Sequence, residues 1–577
     1  MMIGNLLVYF SKAILIALLG LSFLGYMLYF YQKNFNKSLV AGMAVSTVIL
    51  TLFICGILNL LKIATFLLFF MGLGLLIYEL VTTNGRVLVN YFSNNWSAFF
   101  IIIASLYAMV IFRTSMLTGY DDFSHWGTVA KLMLKENRFP TSLDTVITFQ
   151  SYPLGTATFI YYFETIVGLG EHGYLLAQFE LKICFVSCLF GLKNEQHNDW
   201  KGKLVIFLFS ALLLIYNTPS FSLSVDNVLC CCGIFCVVST KLASSRESYK
   251  HAAFVFMLSA GCCIVIKNSG VFFWFAGVII YVLVSHRLKL RWEFVKYDFI
   301  FIVIPILLLL LWQRHVDYVF IDGLVSKHAM TLSHGMRVFR SKTIAEIKNE
   351  ILYISSIIIN PIKDRAILIL IGITIHFLLS RNGRKNKQLN YYALYLLCLF
   401  FIYQCGMMIM YLFSMPHAEI VYQKGADYAR YNGTFVAFFA ALYFGVIYET
   451  HCDSGKEKVS MLFAFALMGA ALGNRIHVQD INPHTVTSVY YKDKCEIKLE
   501  IEDQLESLDF QDGQKVLIRV KQENNEADYI YYMMRYLLLN DQFAITMNTD
   551  ETEFSQAWEL SDCDYCIDTI THTVLRR

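Results

Sequence analysis

Residues 98–126 read AFFIIIASLYAMVIFRTSMLTGYDDFSHW. A nearly unbroken apolar run over 98–117 passes, with no linker, into Gly119-Tyr-Asp-Asp-Phe-Ser-His-Trp126. A helix needs about 20 mostly apolar residues to cross the hydrocarbon core of a bilayer, so 98–117 reads as a span and the acidic pair as its mouth. Further stretches of about that length lie at 5–31, 39–61, 63–82, 172–191, 203–218, 222–240, 252–267 and 270–285. They continue at 299–313, 366–380, 391–414, 434–449 and 459–473. The fold class is therefore an all-α polytopic membrane bundle of about 13–15 helices, with a small C-terminal α/β domain treated below. Alternating ten-residue segments of barrel type are absent.

Composition agrees. The 577 residues are 57% apolar and 16% charged, with a mean hydropathy of +0.52. Soluble domains are about 45–50% apolar and about 25% charged. These values exclude a soluble multidomain enzyme, a disordered chain and a nucleic-acid binder. The first apolar stretch has no basic leader and is too long for a signal-peptide core, so it reads as a retained helix.

Lys and Arg gather in cytoplasmic loops. The clusters are Lys193/Lys201/Lys203, Lys241/Arg246/Lys250, Arg287/Lys289/Arg291/Lys296, Arg381/Arg384/Lys385/Lys387 and Lys456/Lys458. Placing them inside puts 118–150, 217–226, the Lys267–Gly270 turn, 314–350, 415–433 and the tail from 474 outside. One parity conflict arises, because two crossings over 152–168 and 172–191 would leave loop 118–150 and the basic loop at 193–203 on one side. Reading 152–168 as a juxtamembrane or re-entrant segment removes it; the alternative puts Lys193–Lys203 outside.

Three units follow: 1–97, N-terminal membrane helices; 98–473, a membrane module with an outer loop over 118–170; and 474–577, an extracytoplasmic domain. The last carries 10 Lys+Arg against 20 Asp+Glu, which leaves the membrane part strongly basic. It shows strand-like runs at Lys515–Val520, Phe543–Thr546 and Tyr565–Ile570, and a helix-like run around Tyr529–Leu539. Most of the 15 cysteines lie in apolar spans, where they act as small packing residues. Cys563 and Cys566 have CxxC spacing, which suggests a disulfide or redox pair; no second pair stands at metal-ligand spacing.

Adjacent carboxylates beside a membrane are costly unless solvated, paired or used. Two neighbouring acids can divide roles, because each raises the other's pKa. His125 adds a proton donor and Trp126 a flat stacking surface. Asp121 and Asp122 are thus the catalytic candidates. No cofactor is required by the sequence, although the pair leaves room for a divalent metal ion. Against this stands a plain solvated loop with a Trp anchor. Glu180 and Lys182 lie mid-span and would interest a transporter hypothesis; two apart on a helix, they point to different faces.

The loop Tyr120-Asp-Asp-Phe-Ser-His-Trp-Gly127, followed by Tyr152-Pro-Leu-Gly155, resembles the GT-C superfamily of integral-membrane glycosyltransferases. The protein O-mannosyltransferase and aminoarabinose-transferase branches are the most similar. It departs from their pattern in having Asp122 for Glu, a displaced His125, a single proline and three extra preceding spans. Bacterial cell-envelope members also resemble it at the Lys267–Gly270 turn, Ser326–Ala329 and Ala429-Arg-Tyr431. The resemblance implies that Asp121 is the base that takes a proton from an acceptor hydroxyl as a sugar leaves its polyprenyl phosphate, with inversion. Implied partners are that lipid-linked donor, a glycan, lipid or protein acceptor, and the bilayer of the bacterial cytoplasmic membrane.

The leaving phosphate needs cations, for which Arg is well shaped. Lys267, Lys327, His328, Lys424 and Arg430 lie on the expected outer side, Arg430 beside Tyr431 being the first choice. Tyr152 suits an acceptor pocket, and Asp226 is a further candidate at the mouth of the next span. Two other readings remain open: a polysaccharide polymerase or ligase, and a lipid-linked glycan transporter or flippase.

Overall fold

The computed structural model describes the chain apart from residues 1, 193–199, 218–220, 243–245, 288–291, 321–331, 361–364, 381–386, 418–419, 421–425, 450–464, 467, 474–475, 477–491, 509, 512, 521–526 and 548. His328, Lys327 and the rest of Ser326–Ala329 lie outside the described residues. So do Lys424 and the cluster members Lys193, Lys289, Arg291, Arg381, Arg384, Lys385, Lys456 and Lys458.

The membrane part is a helical bundle. Its helices are α1 (Met2–Gln32), α2 (Val40–Ile57), α3 (Leu61–Thr82), α4 (Arg86–Phe92), α5 (Trp96–Phe112), α6 (Gly127–Glu136), α7 (Gly155–Val167), α8 (Glu171–Val186) and α9 (Trp200–Leu214). Then come α10 (Asp226–Lys241), α11 (Arg246–Ile266), α12 (Gly270–Arg287), α13 (Trp292–Val319), α14 (Leu332–Ser341), α15 (Ile344–Ile359), α16 (Ala366–Ser380), α17 (Lys387–Ser414) and α18 (Ala426–Glu449). Among the described residues, six helical stretches are long and apolar enough to cross a membrane unaided: Phe10–Gln32, Val40–Ile57, Leu61–Thr82, Glu171–Leu192, Phe299–Val319 and Leu394–Ser414. The pair α4 and α5 meets at an 83° bend, and shorter apolar helices complete the bundle. The chain is a multi-pass membrane protein.

Contacts sort the helix ends. At one end, Lys37 donates to the Ser93 carbonyl and Ser187 to the Ser38 carbonyl, tying the α1–α2 turn to the start of α5 and the end of α8. At the other, Glu171 meets Leu117, Asp122 meets Leu223, and Lys267 meets Asp226. Helix α7 begins beside this second end, where Asn268 donates to the Ser151 carbonyl at 3.3 Å. It also finishes there, four residues before Glu171. The chain thus returns to the same end after α7, and 152–168 does not carry it across.

The C-terminal domain comprises α19 (Lys492–Ser507), β1 (Val516–Val520), α20 (Ala527–Leu538), β2 (Phe543–Met547), α21 (Glu551–Leu560), β3 (Tyr565–Asp568) and β4 (Thr573–Arg576). The sheet order is β2-β1-β3-β4, with β1 parallel to both neighbours and β4 antiparallel on the edge. Parallel strands need a crossover, which α20 and α21 supply. Strand β1 is buried throughout, as a central parallel strand should be. Its Arg519 is neutralised by Asp568 at 2.8 Å. Cys563 and Cys566 are both free thiols in a small core with Leu517 and Phe554, so the CxxC spacing reflects packing and not a disulfide. This domain sits on the end of the bundle that carries Asp121 and Asp122, where Tyr529 donates to the Thr118 carbonyl at 3.0 Å.

Candidate functional site

The segment after α5 turns sharply. A carboxylate oxygen of Asp122 accepts from the Gly119 amide at 3.0 Å, and a Cβ on Gly119 would lie 2.6 Å from that oxygen. A larger residue there would push the Asp122 carboxylate aside. Residues Asp122–Trp126 then form a π-helical turn leading into α6. Such wide turns are uncommon and gather at functional sites.

This turn separates the two acids. Asp122 is fully buried, and its other oxygen accepts from the Leu223 amide at 2.7 Å and the Ser222 hydroxyl at 3.2 Å. Burial outweighs these hydrogen bonds and pushes its carboxyl up to about 7. Asp122 is thus a strut between the turn and the start of α10, which corrects its place as a catalytic candidate. Asp121 faces the opening, with its side chain about one-third exposed at 34%. The two carboxylates are turned to different partners. Among the described residues no group of three or more His, Cys, Asp or Glu side chains is placed to hold a metal.

His125 and Trp126 are also corrected. The wide turn buries both, and desolvation pushes the imidazole down to about 3. A neutral, enclosed histidine donates no proton near pH 7. It packs edge-on against Trp126, Phe149 and Tyr152, while Tyr152 stacks on Trp126 with centroids 5.7 Å apart. Together they brace Tyr152 at the cavity wall instead of presenting a stacking face.

Four charged side chains alternate in sign across the opening. The Arg430 guanidinium donates to Asp121 through Nη1, and its Nε lies 3.5 Å from Asp226. Lys267 donates to Asp226 at 2.6 Å. Tyr431 lies between the cations, its ring centroid 4.7 Å from the Lys267 ammonium and 5.1 Å from the Arg430 guanidinium carbon. Asp226 also accepts from Ser224 at 3.1 Å, and Asn217 donates to the Arg430 carbonyl at 3.0 Å. The chain Asp121–Arg430–Asp226–Lys267 joins the loop after α5, the start of α18, the start of α10 and the end of α11. Its formal charges cancel.

Two members of the array, Asp226 and Lys267, line a cavity of about 350 Å³, and Arg430 and Asp121 continue the chain beyond its wall. Tyr152, Asp226, Lys267 and Tyr431 line its polar end; Phe272, Ile402, Gly406, Met407 and Met410 line the apolar remainder.

Six of the expected residues are therefore brought together: Asp121, Tyr152, Asp226, Lys267, Arg430 and Tyr431. Glu180 and Lys182 are not paired with each other. Glu180 accepts from Ser105 at 2.7 Å, whereas Lys182 donates to the Leu214 carbonyl at 3.2 Å.

Sequence reading missed Glu171, Lys498, Tyr536 and Tyr532. Lys498 pairs with Glu171 at 2.5 Å, and the Tyr536 hydroxyl donates to the same carboxylate at 2.6 Å. The ring of Tyr532 meets that of Tyr120, next to Asp121, with centroids 5.2 Å apart. The one available signal was a lysine on the apolar face of α19.

No family model matches the chain, and no curated protein matches it. Among solved structures, ArnT from Cupriavidus metallidurans in the apo state is similar at 12% identity and a TM-score of 0.37, over 83% of this chain and 94% of that one. The same protein bound to undecaprenyl phosphate is similar at 12% identity and a TM-score of 0.34, over 83% and 90%.

Proposed function

We propose that the chain is a glycosyltransferase of the bacterial cytoplasmic membrane, moving a sugar from a polyprenyl-phosphate carrier to a hydroxyl acceptor on the outer face. The observation that carries this reading is the charge chain Asp121–Arg430–Asp226–Lys267, of which Asp226 and Lys267 line the polar end of an apolar-walled cavity. Basic groups at the head match the carrier phosphate, and the apolar wall matches its isoprenoid chain.

In the resting arrangement Asp121 is held by Arg430. A phosphate arriving at Arg430 and Lys267 competes for the guanidinium, and Asp121 is released as a base as the donor binds. The acceptor hydroxyl gives its proton to Asp121 while its oxygen bonds to the anomeric carbon. The bond from that carbon to the phosphate oxygen breaks, and its electron pair leaves on the phosphate. Arg430 and Lys267 balance the charge that develops there. Attack opposite the leaving group inverts the anomeric centre. Asp226 holds both cations in register.

The acceptor enters beside Asp121, where Tyr120 and Tyr532 offer aromatic edges and Asp528 adds a carboxylate. The acidic balance of the C-terminal domain favours an acceptor without phosphate groups. The test is incubation of the purified protein in lipid nanodiscs with radiolabelled polyprenyl-phosphate sugars. Release of free polyprenyl phosphate with label in an acceptor or in water is expected; inertness toward the whole donor class contradicts the reading.

A further inference from the structure

We infer that the C-terminal α/β domain is a clasp that sets the position of Asp121, with Lys498 and Tyr536 as positioning residues acting through Glu171. This rests on Asp121 being the base.

The Leu117 amide donates to Glu171 at 2.8 Å, and its carbonyl accepts from Lys498 at 3.4 Å. The next carbonyl, that of Thr118, accepts from the Tyr529 hydroxyl at 3.0 Å. The following amide, that of Gly119, is held by Asp122. Consecutive polar groups just before Asp121 are thus fixed by side chains, two of which belong to the C-terminal domain.

Burial shows how tight the junction is. The Lys498 side chain is 1% exposed. An ammonium is removed from water only where charge and hydrogen bonds replace its hydration. Both oxygens of Glu171 do so, at 2.5 and 2.6 Å, and the ammonium also faces the rings of Phe123 and Tyr536. Phe123 immediately follows Asp122 and packs against Tyr529 and Tyr536, with centroids 5.6 and 5.1 Å away. In the other direction, Lys131 of α6 donates to the Tyr536 and Leu537 carbonyls at 3.0 Å each, closing the end of α20. A domain that merely covered the site would not need to bury a lysine against the stem of the reacting loop.

The variants are Tyr536→Phe, which removes one hydroxyl, Lys498→Met, and Lys498→Arg as the conservative control. Full-length protein in nanodiscs is read by hydrogen exchange of residues 117–131 and by turnover of a polyprenyl-phosphate sugar. Expected for the first two variants is exchange about tenfold faster over 117–131, with exchange in β1 unchanged. Turnover should fall about tenfold with donor KM within about twofold, since misplacement of a base acts on the chemical step. Lys498→Arg should restore most of both. Unchanged exchange over 117–131, or faster exchange with full turnover, overturns the clasp. If Lys498→Met also loosens β1, Tyr536→Phe decides. A wild-type protein inert to every such donor sinks the transferase reading instead, and the exchange measurement still tests the junction.

Discussion

Arg430 joins two carboxylates that lie far apart in the chain, reaching Asp121 with Nη1 and approaching Asp226 to 3.5 Å with Nε. One side chain thereby links the loop after α5 to the start of α10. A fork of donors is what makes this reach available to Arg and not to Lys.

Replacing Arg430 by Gln should lower kcat/KM for the donor about a hundredfold, the order expected when a charge-stabilising donor is lost. Arg430→Lys should recover only part, because a single ammonium cannot serve both carboxylates. Steady-state kinetics with the lipid-linked donor checks this; equal activity of Lys and Arg at this position would speak against the fork.

Lys267 and Asp226 form a pair whose side chains are 15% and 5% exposed. Removing one partner of a buried pair costs about 3–5 kcal/mol, whereas removing both costs much less. Thermal unfolding in detergent should show Lys267→Met or Asp226→Leu as strongly destabilising, and the double variant as milder than either. Additive losses would mean that the two charges do not interact.

The raised pKa of Asp122 gives a pH effect of definite sign. Its folded value, about 7, exceeds the usual carboxylate value, so the protonated form is favoured in the fold. The stabilisation is complete below about pH 4 and is lost as pH rises toward 7. Residues 117–131 should therefore exchange amide hydrogens more slowly, relative to their intrinsic rates, at pH 5.5 than at pH 8. Asp122→Asn should flatten that difference, and a difference that persists in the variant would assign it to another group.

Tyr532 is expected to serve the acceptor. Tyr532→Ala should raise acceptor KM several-fold, of the order of one aromatic contact, and leave donor KM unchanged. Competition assays with neutral and phosphate-bearing glycans distinguish the two substrates' sites, and an effect confined to the donor would remove Tyr532 from the acceptor side.

The long helices of the membrane bundle were legible because their signal is local: apolar length marks each of them. Strands β1, β2 and β3 were legible for the same reason, as short β-branched runs between polar turns. Strand β4 was not, since Thr573–Arg576 is a mostly exposed edge with little apolar pattern. Asp121, Asp226, Lys267 and Arg430 stood out because charge is scarce at span ends, although their joining was not readable. The inward turning of Asp122, His125 and Trp126 depends on a π-helical turn that has no composition of its own. Lys498 and Glu171 could not be matched at all, being separated by a span of sequence that only the fold closes.

The central claim is that Asp121 takes the acceptor proton. Asp121→Asn keeps the size and hydrogen-bonding reach of the side chain while removing its basicity. With purified protein in nanodiscs and a labelled polyprenyl-phosphate sugar, this variant should bind donor and yet lose transfer by about 10³-fold or more. Transfer at the wild-type rate in Asp121→Asn contradicts the account.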